Sequence, residues 1–252
     1  MAKATSVDAP DRQGRPKQKL RRGALTPELI VDESMRLLDE AGVAGFSLPE
    51  LGRALGADPT AVYRHFRSKD DLVLAIADRL IEEATDGFAA SACWVLTISD
   101  LARRLRRVYL AHPAAASLSS LRTTQRPAEI QAVEWIVAAI REAGFEDDEA
   151  ALMYRVVSDF SLFWAGSEAT FRSLDVALQE ADTGAWNRTY RSVDPEQYPN
   201  IWSVRDELPR VSVDAIFERM LDVFATGMLA RAPKGCPCPA GAHQQPRSAR
   251  DS

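Results

Sequence analysis

Cysteine is scarce in this chain, with Cys93, Cys236 and Cys238 the whole set among 252 residues. An odd, sparse set cannot supply the framework of a disulfide-stapled secreted fold and suits a reducing compartment. Apolar residues make up 46% of the chain, yet no window approaches the roughly 18 uninterrupted apolar residues that a membrane helix needs. A soluble protein with no membrane partner is expected. Met1 is followed by a polar stretch without the apolar segment of an export signal, so a cytoplasmic location is expected as well. A glycine-rich phosphate loop, a nucleophile elbow and metal-ligand spacing are all missing, which argues against an enzyme. Cys236, Cys238 and His243 lack the paired spacing of a zinc site, and no metal or other cofactor is expected. Alternation of apolar and polar residues nowhere competes with helical spacing, and no repeat is evident, so the expected fold class is all-α.

Positive charge is also short overall, with 31 basic against 36 acidic residues and a net charge of −5, but it is unevenly placed. Residues 1–25 hold Lys3, Arg12, Arg15, Lys17, Lys19, Arg21 and Arg22 against only Asp8 and Asp11. The acidic remainder cannot be a face for nucleic acid. Residues 1–25 read as a disordered basic arm, because proline, glycine, glutamine and basic side chains leave almost nothing to bury. The arm is either a solvated tail or a clamp whose Arg21 and Arg22 reach phosphates or an adjacent minor groove.

The first helix is expected to start at Thr26, whose hydroxyl can cap free amides, with Pro27 at the first helical position where its missing N–H is harmless. Leu29, Ile30, Met35, Leu37 and Leu38 recur at helical spacing until Ala41–Gly42, where glycine can take a left-handed cap. Ser47 and Glu50 form a capping-box pattern for a short second helix with a stripe of Leu48, Leu51 and Leu55, closed by Gly56. After a tight connection, Pro59 opens a third helix running to Phe66. Two short helices so joined define a helix-turn-helix. Ser68, followed by Asp70 and Asp71, begins a fourth helix with an apolar face of Leu72, Leu74, Ile76, Leu80 and Ile81, expected to connect two domains.

Beyond residue 86, amphipathic helices are expected at 98–111, 114–121, 127–143, 147–174 and 211–231. His112, before Pro113, reads as a structural histidine at a helix end. Residues 175–210 place Gly184, Pro195, Pro199 and Pro209 among Trp186, Tyr190, Tyr198 and Trp202, and read as a long irregular segment, functional or mobile. The tail 232–252 reads as disordered.

The stretch GFSLPELGRALGADPTAVYRHFRSKDDLVLAI (residues 45–76) resembles the DNA-binding domain of the TetR (tetracycline repressor) family, through Leu55, Gly56, Tyr63, Phe66, Lys69 and Leu72. The resemblance implies a three-helix DNA-binding domain with its connecting helix over residues 26–85, and a helical ligand-binding and dimerisation domain over 86–231. A helix of this size fits the major groove, and the third helix would offer Thr60, Ala61, Arg64 and His65 to bases or adjacent phosphates. Arg64 could pair with guanine and Ala61 could touch a thymine methyl. Ser47, Tyr63 and Lys69 would hold phosphates, which set register and affinity without reading sequence. His65 could equally be a simple exposed side chain, and Tyr63 could bury its ring with only the hydroxyl at DNA.

YLAHPAAASLSSLRTTQRP (109–127) and IREAGFEDDEAALMYRVVSDFSLFWAG (140–166) resemble the effector domain of the tetracycline-repressor branch. That likeness implies a pocket near Thr85, Leu101, Leu105, Leu121, Trp135, Tyr154, Asp159 and Phe163, although an aromatic stripe can equally be core or dimer seam. The branch's metal–tetracycline binders carry a histidine shortly before the Arg-Pro that aligns with Arg126-Pro127, where this chain has Ser119 and Ser120, so a tetracycline chelate is not expected. Asp159 stands where the branch has a second histidine, which points to a cationic or hydroxyl-bearing effector. The apolar faces of 147–174 (Leu152, Val156, Leu162) and 211–231 (Ile216, Met220, Val223, Phe224, Met228) would form the four-helix interface of a homodimer. The implied function is a ligand-responsive repressor released from a palindromic double-stranded DNA operator by a small molecule. The alternatives are a helical interaction protein without operator binding and, least of all, an enzyme.

Overall fold

A computed structural model describes residues 25–235, and every secondary-structure element among them is helical. Helix α1 spans Pro27–Gly45; Thr26 Oγ1 accepts from Leu29 N at 3.2 Å, as its position before Pro27 suggests. A φ of +64° at Gly42 interrupts the helical backbone, yet the chain turns helical again up to Gly45, three residues beyond the expected stop. Helix α2 (Leu48–Leu55) is capped by Ser47 and closed by Gly56 in the left-handed region. The Ser47 hydroxyl accepts from Glu50 N at 3.3 Å, while the Glu50 carboxylate turns outward to Arg53.

The expected third helix is a 3-10 helix, Pro59–Arg64. It has little room to be anything else. Asp58 Oδ1 accepts from Thr60 N, fixing the start, and six residues later the backbone must leave for the Ser68 cap of α3 (Lys69–Thr85). Such tight runs are short because their hydrogen-bond geometry is poorer than in an α-helix. Ile30, Leu38, Leu51, Val62, Phe66, Leu72 and Ile76 close the core of this region.

The remaining helices are α4 (Trp94–Ala111), α5 (Pro113–Ser119), α6 (Pro127–Glu142), α7 (Asp147–Arg172), α8 (Val176–Arg191), α9 (Pro199–Val204) and α10 (Val213–Leu229). The segment 175–210, expected to be irregular, is therefore mostly helical, with a further 3-10 turn at Leu208–Arg210. Its helices bury no residue, so the periodicity that betrays a helix was never written into them. Pro199 and Pro209 interrupt nothing, since each sits in the first turn of its element.

The first core is continuous with the rest of the protein. Val108, Tyr109, Ala114, Ala115 and Ala116 of α4 and α5, and Ala165 and Ala169 of α7, belong to the same buried cluster as α1 to α3. His112 joins α4 to α5, and its ring also lies 2.8 Å from Asp39 Oδ2 on α1 and 3.4 Å from Glu83 on α3. A second cluster unites Trp94, Ile98, Ile140, Phe145, Val157 and Met228. Met228, expected in a dimer seam, thus fills the protomer's own core. After α10, Trp94 Nε1 donates to the Gly235 carbonyl at 2.9 Å and Lys234 N to that of Ala143 at 3.0 Å, so the start of the proline-rich tail is packed. Cys93 is buried and disulfide-bonded, a pairing that the sparse cysteine set does not suggest. Arg21 and Arg22, the arm 1–24 and residues 236–252, with Cys236, Cys238 and His243, lie outside the described residues.

Candidate functional site

Two places concentrate exposed or cavity-facing chemistry. The first is the outer surface of the 3-10 helix. Val62 and Phe66 point inward, at 1% and 3% exposure, and by the geometry of a short helix this turns Thr60, Tyr63, Arg64 and His65 outward, with Ala61 half-buried at their edge. Tyr63 is half exposed. Lys69, at the first position of α3, stands over the Phe46 ring with Nζ 5.3 Å from its centroid. An ammonium at a helix N-terminus opposes that helix's own dipole, so an external anion explains it better than helix stability does. Arg64, Arg67 and Lys69 enter no ion pair among the described residues, whereas Arg53 pairs with Glu50. Arg67 is a cation of this face that spacing alone did not single out. Ser47 is half-buried with its hydroxyl engaged in the α2 cap, and the Thr60 hydroxyl donates to Asp58 Oδ1 at 2.6 Å, leaving it an acceptor outward. Those hydrogen bonds from Thr60 hold the Asp58 carboxyl below its ordinary pKa.

The second is a cavity of about 100 Å³ between α3, α4, α6 and α7. Ala77, Ile81, Ala84 and Thr85 form its α3 wall; Ile98, Leu101, Ala102, Leu105 and Tyr109 come from α4; Ala132, Val133 and Ile136 from α6; Tyr154, Val157, Ser158, Ser161 and Leu162 from α7. Arg122 and Glu129 are its charged members. A wider recess of about 420 Å³ shares Arg122, Glu129, Tyr154, Ser158 and Leu162 with it, and adds Leu121, Arg155, Asp159, Phe160 and Phe163. Burial pushes the Tyr109 phenol well above its ordinary pKa, so it stays a neutral group in the wall. An apolar cavity with a few fixed polar groups is the usual form of a small-molecule site.

Comparison with known proteins resolves what these two places belong to. Residues 30–76 match the family model for bacterial regulatory proteins of the tetR family, and residues 90–232 match the tetracyclin repressor-like C-terminal domain. The chain belongs to the TetR family. A relative of this TetR-family regulator, an HTH-type transcriptional regulator from Saccharopolyspora erythraea, is 29% identical over 218 residues, covering 86% of this chain and 89% of the other. The crystal structure of BioQ with its natural double-stranded DNA operator superposes with a TM-score of 0.53 at 28% identity, over 64% of this chain and 97% of that one. ActR of Streptomyces coelicolor, in complex with actinorhodin, shares the fold at a TM-score of 0.71 and 22% identity, over 84% and 100% of the two chains.

Of the pocket residues expected in this TetR-family regulator, Thr85, Leu101, Leu105 and Tyr154 line the inner cavity, and Leu121, Tyr154, Asp159 and Phe163 the outer recess. Trp135 lines neither. Its ring packs instead against Phe88, with centroids 4.9 Å apart. Asp159 is also not the lone anion its position suggested, because Arg155 one turn earlier pairs with it at 2.8 Å. The largest omission is Arg122. Nothing in helical spacing marks a loop arginine as cavity wall, because its place depends on how the α5–α6 connection folds over α3. The apolar residues Ala77, Ile81 and Ala84 do carry a signal, the i, i+4, i+7 spacing of one helix face.

Proposed function

We propose that this TetR-family regulator is a homodimeric repressor that binds a palindromic operator through the 3-10 helix and its flanks, and leaves it when a small molecule occupies the cavity. One observation carries this reading: α3 belongs to both places. Its first residue, Lys69, stands beside the outward face of the 3-10 helix, and its last turns, with Ile81, Ala84 and Thr85, form the cavity wall. A ligand that prefers one position of α3 therefore changes the setting of the DNA-facing residues, and only its differential affinity for the two positions does so. In a two-fold dimer this alters the separation of two reading heads that must lie about 34–36 Å apart, one turn of DNA. BioQ's operator complex and ActR's complex with actinorhodin support the two halves of the reading. Residues 26–85 serve DNA binding and 86–231 serve sensing and dimerisation, in a regulator of the cytoplasm that performs no catalysis.

The test is a footprint of the protein on the DNA flanking its own gene, at two salt concentrations. The expected result is a protected palindrome whose affinity falls steeply with salt. Arg64→Ala and Lys69→Ala should each weaken it, and loss of a phosphate contact at Lys69 should lower the salt slope by about one. Unchanged binding in both variants would overturn the assignment.

A further inference from the structure

The α5–α6 connection and the first turn of α6 are tied to α3 by a row of polar contacts. Arg122 reaches Asp70 with two parallel hydrogen bonds of 2.8 Å, Arg126 Nη2 donates to Asp71 Oδ1 at 2.6 Å, and Glu129 N donates to Asp78 Oδ1, which also lies 3.2 Å from Thr124 Oγ1. The connection carries a conformational outlier at Gln125, whose φ of +58° is the left-handed value that non-glycine residues avoid. Its amide donates to Glu129 Oε2 at 2.7 Å, which holds it there.

Of this row, Arg122 and Glu129 also line both the inner cavity and the outer recess, and Arg122 is the cation of the two. The remaining charges of those walls are committed locally. Glu129 Oε2 accepts from Thr124 Oγ1 and Gln125 N in the first turn of α6, where the helix dipole favours a carboxylate, and Asp159 is matched by Arg155. Asp70, by contrast, is a solvent-exposed partner, and an exposed ion pair is weakly held and readily exchanged. In the same wall Ser158 Oγ is buried with no hydrogen-bond partner among the described residues. Ser34, Ser119, Ser161 and Thr170 all turn their hydroxyls back to their own helices.

We propose, resting on the cavity as effector site, that the effector is an anionic, largely aromatic molecule. Its acidic group takes Arg122 from Asp70, and a polar atom of its body meets Ser158. The exchange breaks the bidentate tie between the α5–α6 connection and the start of α3, one residue from Lys69, so that recognition of the anion and loosening of the DNA-facing residues are the same event. Binding and release are then linked reciprocally: whatever weakens the Arg122–Asp70 pair strengthens the anion's binding.

The test uses a matched pair of fluorescent probes on the full chain, 1-anilinonaphthalene-8-sulfonate and its neutral counterpart N-phenyl-1-naphthylamine. Wild type should prefer the sulfonate. Arg122→Gln should narrow that preference by about tenfold, the loss of charge-assisted hydrogen bonds, and Asp70→Asn should widen it about threefold or more by removing the competitor. Circular dichroism confirms that each variant is folded. A wild-type preference for the neutral probe, or variants that leave the preference where it was, would overturn the proposal. A cavity-filling variant, Ser158→Phe, separates the two readings, because it should abolish binding of both probes. Undiminished binding of both in folded Ser158→Phe removes the cavity as their site, and with it the effector-site reading. Loss of both there, alongside an unmoved preference in Arg122→Gln, removes only the anion.

Discussion

At Gly52 the fold leaves no room for a side chain. A Cβ there would stand 2.9 Å from Pro59 N and 3.0 Å from the Ala57 carbonyl oxygen, so α2 and the start of the 3-10 helix meet backbone to backbone. Backbone cannot swing aside as a flexible side chain can. Gly52→Ala should therefore cost about 1–3 kcal/mol in urea unfolding, the usual range for overpacking, and should tilt the outward residues of the 3-10 helix. Unchanged unfolding would show that the turn yields. No pattern of apolar residues marks this position, since a glycine on the buried side of a short amphipathic helix reads as a mere gap. Arg122 and Asp159 teach the same lesson about charge. Asp159 stands out in the sequence and is neutralised by its own helix, whereas Arg122 is inconspicuous and becomes the cation shared by cavity and α3.

Among the elements, α3 is the one that reaches both candidate places, and its start is finely held. Ser68 Oγ accepts from Asp71 N at 3.0 Å, and Asp71 Oδ2 accepts from Arg67 N at 2.9 Å, a reciprocal cap. Ser68→Ala should cost about 1 kcal/mol and should speed amide exchange in the first turn of α3 more than in its last. Equal protection at both ends would deny the cap its role. A second inter-element tie lies deeper. Arg106 on α4 bridges Glu168 on α7, at 2.7 and 2.9 Å, and Asp214 on α10, at 2.6 Å, with Arg106 and Glu168 only 11% and 8% exposed. Removing one partner of a buried pair leaves an uncompensated charge, usually costing about 3–5 kcal/mol. Arg172 still reaches Glu168 in Arg106→Ala, so a loss near the lower end, about 3 kcal/mol, is expected from denaturant midpoints.

At the scale of the whole molecule, the apolar faces left uncovered on α7 and α10 are the candidates for the dimer interface. Leu152, Val156 and Phe163 on α7, and Val213 and Val223 on α10, are large apolar side chains exposed in the protomer, with Val223 at 62%. Leu162 faces the inner cavity instead, and Phe163 also borders the outer recess. Contiguous apolar surface of this kind marks an interaction site, and a two-fold pairing of α7 and α10 with their copies would cover it. Val223→Glu places a charge at that seam and should yield monomers in sedimentation velocity, with operator affinity falling together with dimer content. A dimeric Val223→Glu protein with full operator affinity would move the interface elsewhere, for instance onto the exposed Trp186 and Trp202 of α8 and α9.

The sequence by itself determined the local signals: the caps at Thr26, Ser47 and Ser68, the left-handed glycine after α2, the apolar stripes of α1 to α3, and the family to which they belong. These are effects of neighbours within a turn or two, and they are written in spacing. Tertiary structure alone decided the rest. The 3-10 form of Pro59–Arg64 follows from what must fit between two caps, and the helices of 176–204 bury nothing and so show no period. Trp135 leaves the cavity and Arg122 enters it because of how α6 and its preceding loop lie on α3. Charge pairing across distant segments depends on where the chain returns, and no local spacing encodes that.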